Sequence, residues 1–164
     1  MIFETERLIV RKLSFDDLHG FYAMESNPNV LKYADGTPKD LNQCKVELGN
    51  LINRYQLENN DFCIYAIERN LDKEFIGTVA LIKTNNEYEI GYRFLEKYWN
   101  KGYASEICKV LILYCKQLSI KKIVGFVVNA NVASAKILEK YNFKIVDVFI
   151  NDDYQQETKY ELKL

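Results

Sequence analysis

The chain has 164 residues, a formal net charge of −1 and 48% hydrophobic residues, which suits one domain with a substantial core. The near-neutral charge argues against a nucleic-acid binder, because such proteins usually carry a basic patch. The chain lacks the run of about 18 apolar residues that a membrane helix needs, and its N-terminus is charged within four residues. We therefore expect a single cytoplasmic domain over residues 1–164, with no membrane partner and no signal peptide.

The chain has four cysteines and one histidine. No two of Cys44, Cys63, Cys108 and Cys115 form a C-x-x-C pair, so the residues for a typical zinc site are missing and we predict no metal. Cys108 and Cys115 lie two helical turns apart, which is too far for a disulfide within one helix. We predict reduced, mostly buried thiols. The alternative, a nucleophilic cysteine, would need His19 as its base, and we expect His19 to be an exposed helix residue.

Local signals in the first part of the chain predict one strand and two helices. Ser14 and Asp17 are typical of a capping box, and Asp40 is typical of a residue that caps a helix. The elements are a strand at 7–13, a helix from 14 to about 25, a loop that contains Pro28 and residues 34–38, and a helix at 41–57.

Three strand-like segments follow at 62–69, 75–83 and 87–95. The connections between them, 70–74 and 84–86, are short and turn-like. Short links join neighbouring antiparallel strands, so we predict an antiparallel meander.

After residue 95 the apolar period changes from two to between three and four, which predicts a helix over 102–118. The apolar stripe comprises Ala104, Ile107, Cys108, Leu111, Tyr114, Cys115 and Leu118. The remaining elements are a strand at 122–128, a helix at 132–141 and strands at 145–150 and 157–164. The complete order, β-α-α-β-β-β-α-β-α-β-β, predicts one α/β (α+β) domain.

The segment 98–106, YWNKGYASE, joins a predicted strand to a predicted helix. The first amides of a helix have no partner within it and carry partial positive charge, so they attract anions such as phosphate. Gly102 and Ala104 leave this backbone open, while Lys101 adds a charge and Ser105 a hydroxyl donor. The alternative is an ordinary glycine before a helix with a solvated lysine. The segment matches neither a P-loop nor a dinucleotide fingerprint.

Several motifs together resemble the GNAT superfamily of N-acyltransferases. Residues 99–104, WNKGYA, look like its acyl-CoA pyrophosphate loop, Q/R-x-x-G-x-G/A. The longer stretch 89–106 resembles the branch that acetylates the N-termini of ribosomal proteins. In the same branch, residues 5–11, TERLIVR, are similar to a T-x-R-L-x-L-R strand, and 131–134 (NVAS) with 138–143 (LEKYNF) are similar to N-x-x-S…L-E-K-x-G-F.

The resemblance implies a mixed, mostly antiparallel sheet of seven strands with helices on both faces. Its fourth and fifth strands, 87–95 and 122–128, would splay apart. Two residues depart from the family pattern. Trp99 stands where the superfamily usually has Gln or Arg, and Asn142 replaces a glycine, although Asn tolerates positive φ well enough to end a helix.

The resemblance also implies acetyl-CoA as cosubstrate and no metal. The pantetheine arm would lie in the splay, and a backbone N–H near Tyr92 or Arg93 would polarise the thioester carbonyl. The implied contacts are backbone groups of Tyr92, Arg93 and Phe94 along the arm, Trp99, Asn100, Lys101, Gly102, Tyr103, Ala104 and Ser105 around the diphosphate, and Asn131 at the outer end of the arm.

Two side chains are candidates for catalysis by this resemblance. Glu89 would accept the proton of the attacking amine, directly or through water, with Glu87 in reserve. The alternative is a solvent-facing strand glutamate paired with Lys or Arg. Ser134 would act as the acid for the leaving thiolate, because Leu138 stands where many relatives have a tyrosine and Tyr141 points elsewhere. The alternative for Ser134 is a helix cap.

The acceptor would be a primary amine, either a protein N-terminal α-amine or a small molecule, bound by a monomer or homodimer without nucleic acid. The acidic loop 151–154 would attract a cation, or would simply be a solvated turn. Tyr33, Asp35 and Phe21 lie on segments that border the acceptor cleft in relatives. Two other functions remain open: a non-catalytic CoA-binding or sensing module of the same fold, and a binder of phosphate ligands unrelated to CoA.

Overall fold

The computed structural model describes residues 1–34, 36–85 and 87–164, and in these ranges it contains eight strands and five α-helices. The strands are β1 (Phe3–Glu4), β2 (Leu8–Lys12), β3 (Phe62–Arg69), β4 (Phe75–Thr84), β5 (Glu87–Phe94), β6 (Lys122–Val128), β7 (Lys144–Ile150) and β8 (Gln156–Lys163). The helices are α1 (Leu18–Glu25), α2 (Pro28–Leu31), α3 (Leu41–Arg54), α4 (Tyr103–Gln117) and α5 (Val132–Lys140).

Two elements differ from the prediction. The two-residue strand β1 pairs with β2, with Phe3 opposite Val10, and it raises the strand count from seven to eight. The short helix α2 replaces part of the predicted loop. Its start follows ordinary capping rules, since Asn27 accepts the N–H of Asn29 and Pro28 occupies the first turn, where its missing N–H costs nothing.

The predicted helix starts are confirmed. The Asp17 carboxylate accepts the N–H of Ser14 at 2.8 Å, at the start of a 3-10 turn that leads into α1. At α3, Asp40 accepts the N–H of Gln43 at 2.9 Å, and the Gln43 side chain accepts the N–H of Asp40 at 2.8 Å. Both are reciprocal caps that satisfy first-turn amides.

The strands form one sheet in the order β1-β2-β3-β4-β5-β6-β8-β7. Each neighbouring pair is antiparallel except β5 with β6, so the predicted meander β3-β4-β5 and the mixed, mostly antiparallel sheet are confirmed.

The parallel pair β5–β6 opens into a gap. In the described part of the chain, its pairing consists of Tyr88 opposite Ile123 and Glu89 opposite Val124. Both strands continue beyond this point, β5 to Phe94 and β6 to Val128, without pairing with each other. The predicted splay between these strands is therefore present, and it opens towards their carboxyl ends.

Helices cover both faces of the sheet, as predicted. Arg93 of β5 reaches Glu25 of α1 on one face, and its neighbour Tyr92 lies by Cys108 of α4 on the other. Alternate strand residues point to opposite faces, so α1 and α4 lie on different sides. The core comprises buried side chains from both layers, among them Leu8, Met24, Leu48, Ile67, Ile76, Ile107, Leu111 and Ile123.

Candidate active site

The N-terminus of α4 has no side-chain cap among the described residues. Gly102 precedes the helix with φ +80° and ψ 0°, and Asn100 also has a positive φ of 58°. The first amide bonded within the helix is that of Glu106, which donates to the Gly102 carbonyl. The N–H groups of residues 103–105 therefore have no partner within the helix. Together with the helix dipole, they form a site suited to an anion.

Position 102 favours glycine because the backbone there has a left-handed conformation, and not because neighbouring atoms leave no room for a side chain. A Cβ built there would find only Nη2 of Arg7 nearby, at 3.5 Å. A left-handed conformation costs other L-residues about 1–2 kcal/mol. Gly102 thus sets the direction of the chain into α4 and keeps the surface in front of the first turn free of side-chain atoms.

Two cations flank this loop. Lys101 is exposed, and its ammonium lies 5.3 Å from the centre of the Tyr98 ring. The guanidinium of Arg7 donates to the Lys101 carbonyl at 3.1 Å and lies 4.5 Å above the ring of Tyr103. Arg7 therefore holds the loop from the side of β2, a role that we did not predict for it.

Glu106 fastens the first turn of α4 to the segment before β2. Its carboxylate accepts hydrogen bonds from the Thr5 hydroxyl, from the Arg7 main-chain N–H at 3.0 Å and from Arg7 Nε at 2.7 Å. Partial burial raises the pKa of Glu106, but the bonds from Thr5 and Arg7 outweigh it and hold this pKa below its usual value. Thr5 and Arg7 lie in the TERLIVR motif and Glu106 ends YWNKGYASE, so these motifs were the only sequence signal for the contact.

The residues around Gly102 differ in what their side chains do. Tyr103 is buried, and its ring stacks on Phe94 at 6.5 Å. Ala104 is half-buried. The Ser105 hydroxyl lies 3.0 Å from the Tyr141 hydroxyl and accepts a bond from Lys140 at 2.8 Å. The side chain of Ser105 thus already connects α4 to the end of α5, which leaves its main-chain N–H as the group facing the loop.

The edge of β5 offers backbone groups to the gap at every second residue. A Cβ built on Gly77 of β4 would lie 2.2 Å from the Arg93 carbonyl oxygen, so the backbone of Arg93 faces β4. Because bonding directions alternate along a strand, the N–H and C=O groups of Tyr92 and Phe94 face the gap. Of the three residues predicted to line the pantetheine arm, Arg93 therefore has its backbone engaged in the sheet.

Trp99 closes the outer end of this edge. Its indole Nε1 donates to the Phe94 carbonyl at 2.9 Å, while the residue is 41% exposed. This bond satisfies one group of the open strand edge and fixes the chain where it leaves β5. Trp99 consequently supports the loop through its indole N–H. The Gln or Arg that is usual at this position in the superfamily has no indole and cannot make the same contact.

Glu89 lies on the floor of the gap. It is half-buried and occupies the last paired position before β5 and β6 diverge, opposite Val124. Glu87, on the same face, accepts bonds from Lys159 at 2.6 Å and Lys122 at 3.0 Å. The bonds from Lys159 and then Lys122 hold the pKa of Glu87 below its usual value, so Glu87 is a poor proton acceptor.

Asn131 and Ser134 begin α5 directly after β6. The Asn131 side chain accepts the N–H of Ser134 at 3.3 Å, so the cap of this helix is Asn131 and the alternative of Ser134 as the cap is wrong. Ser134 is half-buried and lies beside the hydroxyl of Tyr92. Leu138 is buried against Gly125 of β6.

The residues suggested for the acceptor side differ in exposure. Phe21 is a core residue with 2% exposure, Tyr33 is half-buried, and Asp35 lies outside the described residues. In the loop 151–154, the Asn151 side chain accepts the N–H groups of Asp153 and Gln155, an arrangement typical of a surface turn.

The cysteines and the histidine have the burial predicted for them. Cys44, Cys108 and Cys115 are buried, Cys63 is half-buried, and none of the four forms a disulfide; His19 is exposed. No three His, Cys, Asp or Glu side chains within 1–34, 36–85 and 87–164 come together as a metal site. The helices in these ranges also include none with the length and apolar character of a membrane span.

Comparison with known proteins shows similarity in both sequence and fold. Residues 7–144 match the family model of the acetyltransferase (GNAT) domain. YoaA of Bacillus subtilis (strain 168), described as an uncharacterized N-acetyltransferase, is 30% identical over 165 residues, covering 98% of this chain and 92% of YoaA.

Solved structures agree in fold at lower identity. A GNAT-family acetyltransferase from Bacillus anthracis superposes with a TM-score of 0.86 at 22% identity, covering 98% of this chain and 96% of that one. The ribosomal L7/L12 α-N-protein acetyltransferase RimL, solved with coenzyme A, gives a TM-score of 0.83 at 17% identity, covering 99% and 97%. The match of the family model over most of the chain, with the relative at 30% identity, shows that this protein belongs to the GNAT family of acetyltransferases.

Proposed function

We propose that this protein moves the acetyl group of acetyl-CoA to a primary amine by direct attack within a ternary complex. The observation that carries the proposal is that two features meet at one end of the sheet. The uncapped amides of α4 lie there, and so does the gap between β5 and β6. An anionic diphosphate suits the first feature, and an extended amide chain suits the second.

The diphosphate binds to the main-chain N–H groups around Gly102, with Lys101 adding long-range attraction. Hydrogen bonds to charged groups contribute about 1.5–3 kcal/mol each, so three or four such amides suffice to anchor the nucleotide end. Asn100, Ala104 and Ser105 contribute through their backbone, while the side chains of Trp99 and Tyr103 hold the loop in place. Asn131 approaches the outer end of the pantetheine arm.

The arm pairs with the N–H and C=O of Tyr92 and with the N–H of Phe94, because Trp99 already donates to the Phe94 carbonyl. The Tyr92 N–H is the donor for the thioester oxygen, on which negative charge develops as the amine attacks. Arg93 contributes no backbone group here, because its own backbone faces β4. Preorganised amides need no rearrangement at the moment of reaction, which is why a fixed strand edge suits this task.

Glu89 removes the proton of the amine, directly or through water. Only a neutral amine attacks, and an α-amine with a pKa of about 7.7–8 loses its proton far more easily than a lysine-like amine near about 10.4. A base at the floor of the gap therefore increases the rate, commonly about 10²–10⁴-fold. Glu87 is not this base, because two lysines stabilise its charge.

When the thioester bond breaks, its electron pair goes to sulfur. The attacking nitrogen forms the new C–N bond and gives up its extra proton to water, while Ser134 donates a hydrogen bond to the leaving thiolate. A thiolate of CoA is a moderately good leaving group, so the contribution of Ser134 is smaller than that of Glu89.

The acceptor is a protein N-terminal α-amine or a small-molecule amine. The test is the release of free CoA thiol from acetyl-CoA over a panel that contains peptides with free N-termini, amino acids, polyamines and aminoglycosides. Turnover of at least one amine is the expected result. Tight acetyl-CoA binding without turnover of any amine would favour a non-catalytic sensing module instead.

A separate experiment tests whether the site binds phosphate ligands in general. Thermal unfolding is followed with CoA and with ATP at equal concentration. We expect stabilisation by CoA well above that by ATP, because ATP lacks the pantetheine arm. Equal stabilisation would point to a phosphate-ligand binder unrelated to CoA.

A further inference from the structure

The hydroxyl of Tyr92 is buried and has no hydrogen-bond partner among the described residues. Buried polar groups in native proteins are almost always paired, because an unpaired one costs stability. The burial raises the pKa of Tyr92 above its usual value, so the group remains a protonated hydroxyl, able to donate, throughout the physiological range. A buried hydroxyl donor without a partner suggests that the Tyr92 hydroxyl has a functional role.

Tyr92 stands where the gap opens, three residues beyond Glu89. Its ring lies on the face of α4 and α5, next to Phe94 at 6.3 Å. Around its hydroxyl are the thiol of Cys108, the hydroxyl of Tyr141 and the hydroxyl of Ser134. The Tyr141 hydroxyl already has two partners, because it donates to the Ser105 carbonyl at 2.8 Å and accepts from the Ser105 hydroxyl at 3.0 Å. Cys108 is a buried thiol and only a weak acceptor. Ser134 is therefore the natural acceptor for the Tyr92 proton.

We propose that Tyr92 is a positioning residue for Ser134: its hydroxyl donates to Ser134 Oγ and thereby turns the Ser134 proton towards the leaving sulfur. This inference rests on the role given to Ser134 above. The direction follows from chemistry, because a phenol is a better donor than an aliphatic alcohol. With Ser134 Oγ accepting the Tyr92 proton, the serine's own proton remains available to the gap.

In this arrangement no proton leaves Tyr92. The thioester C–S bond breaks with its electrons going to sulfur, the C–N bond forms, and the amine loses a proton to Glu89 or water. Ser134 donates a hydrogen bond to the thiolate, and Tyr92 strengthens that donor by polarising it, as hydrogen bonds in a chain do.

The test is a double-mutant cycle with Tyr92→Phe, Ser134→Ala and the double variant, using acetyl-CoA and the amine of highest rate in the panel above. We expect Tyr92→Phe to lower kcat about fivefold, the factor that one neutral hydrogen bond supplies. KM for acetyl-CoA stays the same. Because Tyr92→Phe keeps the ring in place and loses one hydrogen bond while it also removes the cost of burying a hydroxyl, we expect Tm to change little. In the Ser134→Ala background, Tyr92→Phe changes kcat no further.

Tyr160→Phe is the matched control, because Tyr160 is also buried but lies on β8, on the far side of β6 from β5, with its hydroxyl 3.5 Å from Glu139. It should leave kcat unchanged. Equal fold losses from Tyr92→Phe in both backgrounds, or a loss of kcat that comes with a fall in Tm, would overturn the positioning role while leaving the acetyltransferase proposal intact. An unchanged kcat in Ser134→Ala would remove the role of Ser134 together with this inference, and a wild-type protein that acetylates no amine would remove both proposals.

Discussion

Arg7 and Glu106 form an ion pair with 2.6 Å between Nη2 and Oε2, although 99 residues separate them in the chain. Glu106 lies in the first turn of α4, and Arg7 also donates to the carbonyl of Lys101. The pair therefore ties the loop that carries Gly102 to the segment before β2. Two of the motifs that resemble the GNAT family meet in this contact.

The charge of Glu106 makes this contact dependent on pH. The pKa of Glu106 is lower in the folded protein than its usual value near 4.5. Its carboxylate thus stabilises the fold above about pH 4.5, and the contribution is lost as the pH falls through the lower folded-state pKa. We expect the difference in unfolding free energy between wild type and Glu106→Gln to be largest near neutral pH and to shrink towards about pH 3. Urea unfolding across this range measures it, and a difference independent of pH would contradict this account.

Gly102→Val should weaken the binding of CoA. The substitution places a branched side chain in front of the first turn of α4 and strains a backbone with φ +80°. We expect the Kd of CoA to rise at least about tenfold, equivalent to about 1.4 kcal/mol, by isothermal titration.

Gly36→Val is the matched control for Gly102→Val, because a Cβ at Gly36 would meet only Leu31, at 4.0 Å. Its affinity for CoA should equal that of the wild type. An unchanged Kd in Gly102→Val would show that the loop does not contact the diphosphate.

Glu89→Gln should slow turnover, most strongly below about pH 8, where an α-amine is largely protonated. Glu87→Gln is the comparison, with the same chemical change two residues earlier on the same face of β5. Because Lys122 and Lys159 already stabilise the charge of Glu87, its replacement should leave the shape of the pH–rate curve unaltered. If Glu89→Gln also leaves that curve unaltered, Glu89 is not the base.

Glu25 of α1 forms ion pairs with Arg93 of β5 and with Lys39. It is 4% exposed and pairs with Nη1 of Arg93 and, at 3.1 Å, with Nζ of Lys39. Glu25→Ala should lower the unfolding free energy by about 2 kcal/mol, less than for a fully buried pair because both cations reach solvent. Glu47→Ala removes a more exposed partner of the same Lys39 and should cost about 1 kcal/mol or less. Similar losses for the two variants in urea unfolding would show that the burial of Glu25 is unimportant.

The sequence predicted the elements whose signals are local. The caps at Asp17 and Asp40 and the apolar stripe of α4 placed these helices to within a few residues. Strand β1 and helix α2 were missed because two and four residues are too few to show a period. Asn27 before Pro28 is, in hindsight, an ordinary start signal for a helix.

The site was less accessible to sequence reasoning, because its contacts join distant segments. The pairs Arg7–Glu106 and Arg93–Glu25 span 99 and 68 residues, and no local pattern indicates them. The direction of the Arg93 backbone depends on the register of β5 with β4, in which Arg93 lies opposite Thr78. That register is a property of the folded sheet and is not visible in a local sequence pattern. The motifs placed the loop at Gly102, whereas the use of the Ser105 and Trp99 side chains follows from tertiary packing.

A crystal structure with CoA bound tests the central claim most directly, since it locates the diphosphate relative to α4. We predict that diphosphate oxygens accept hydrogen bonds from main-chain N–H groups between residues 102 and 105, with the pantetheine arm between β5 and β6. A diphosphate bound elsewhere, or an α4 N-terminus closed by protein side chains in that structure, would contradict the account.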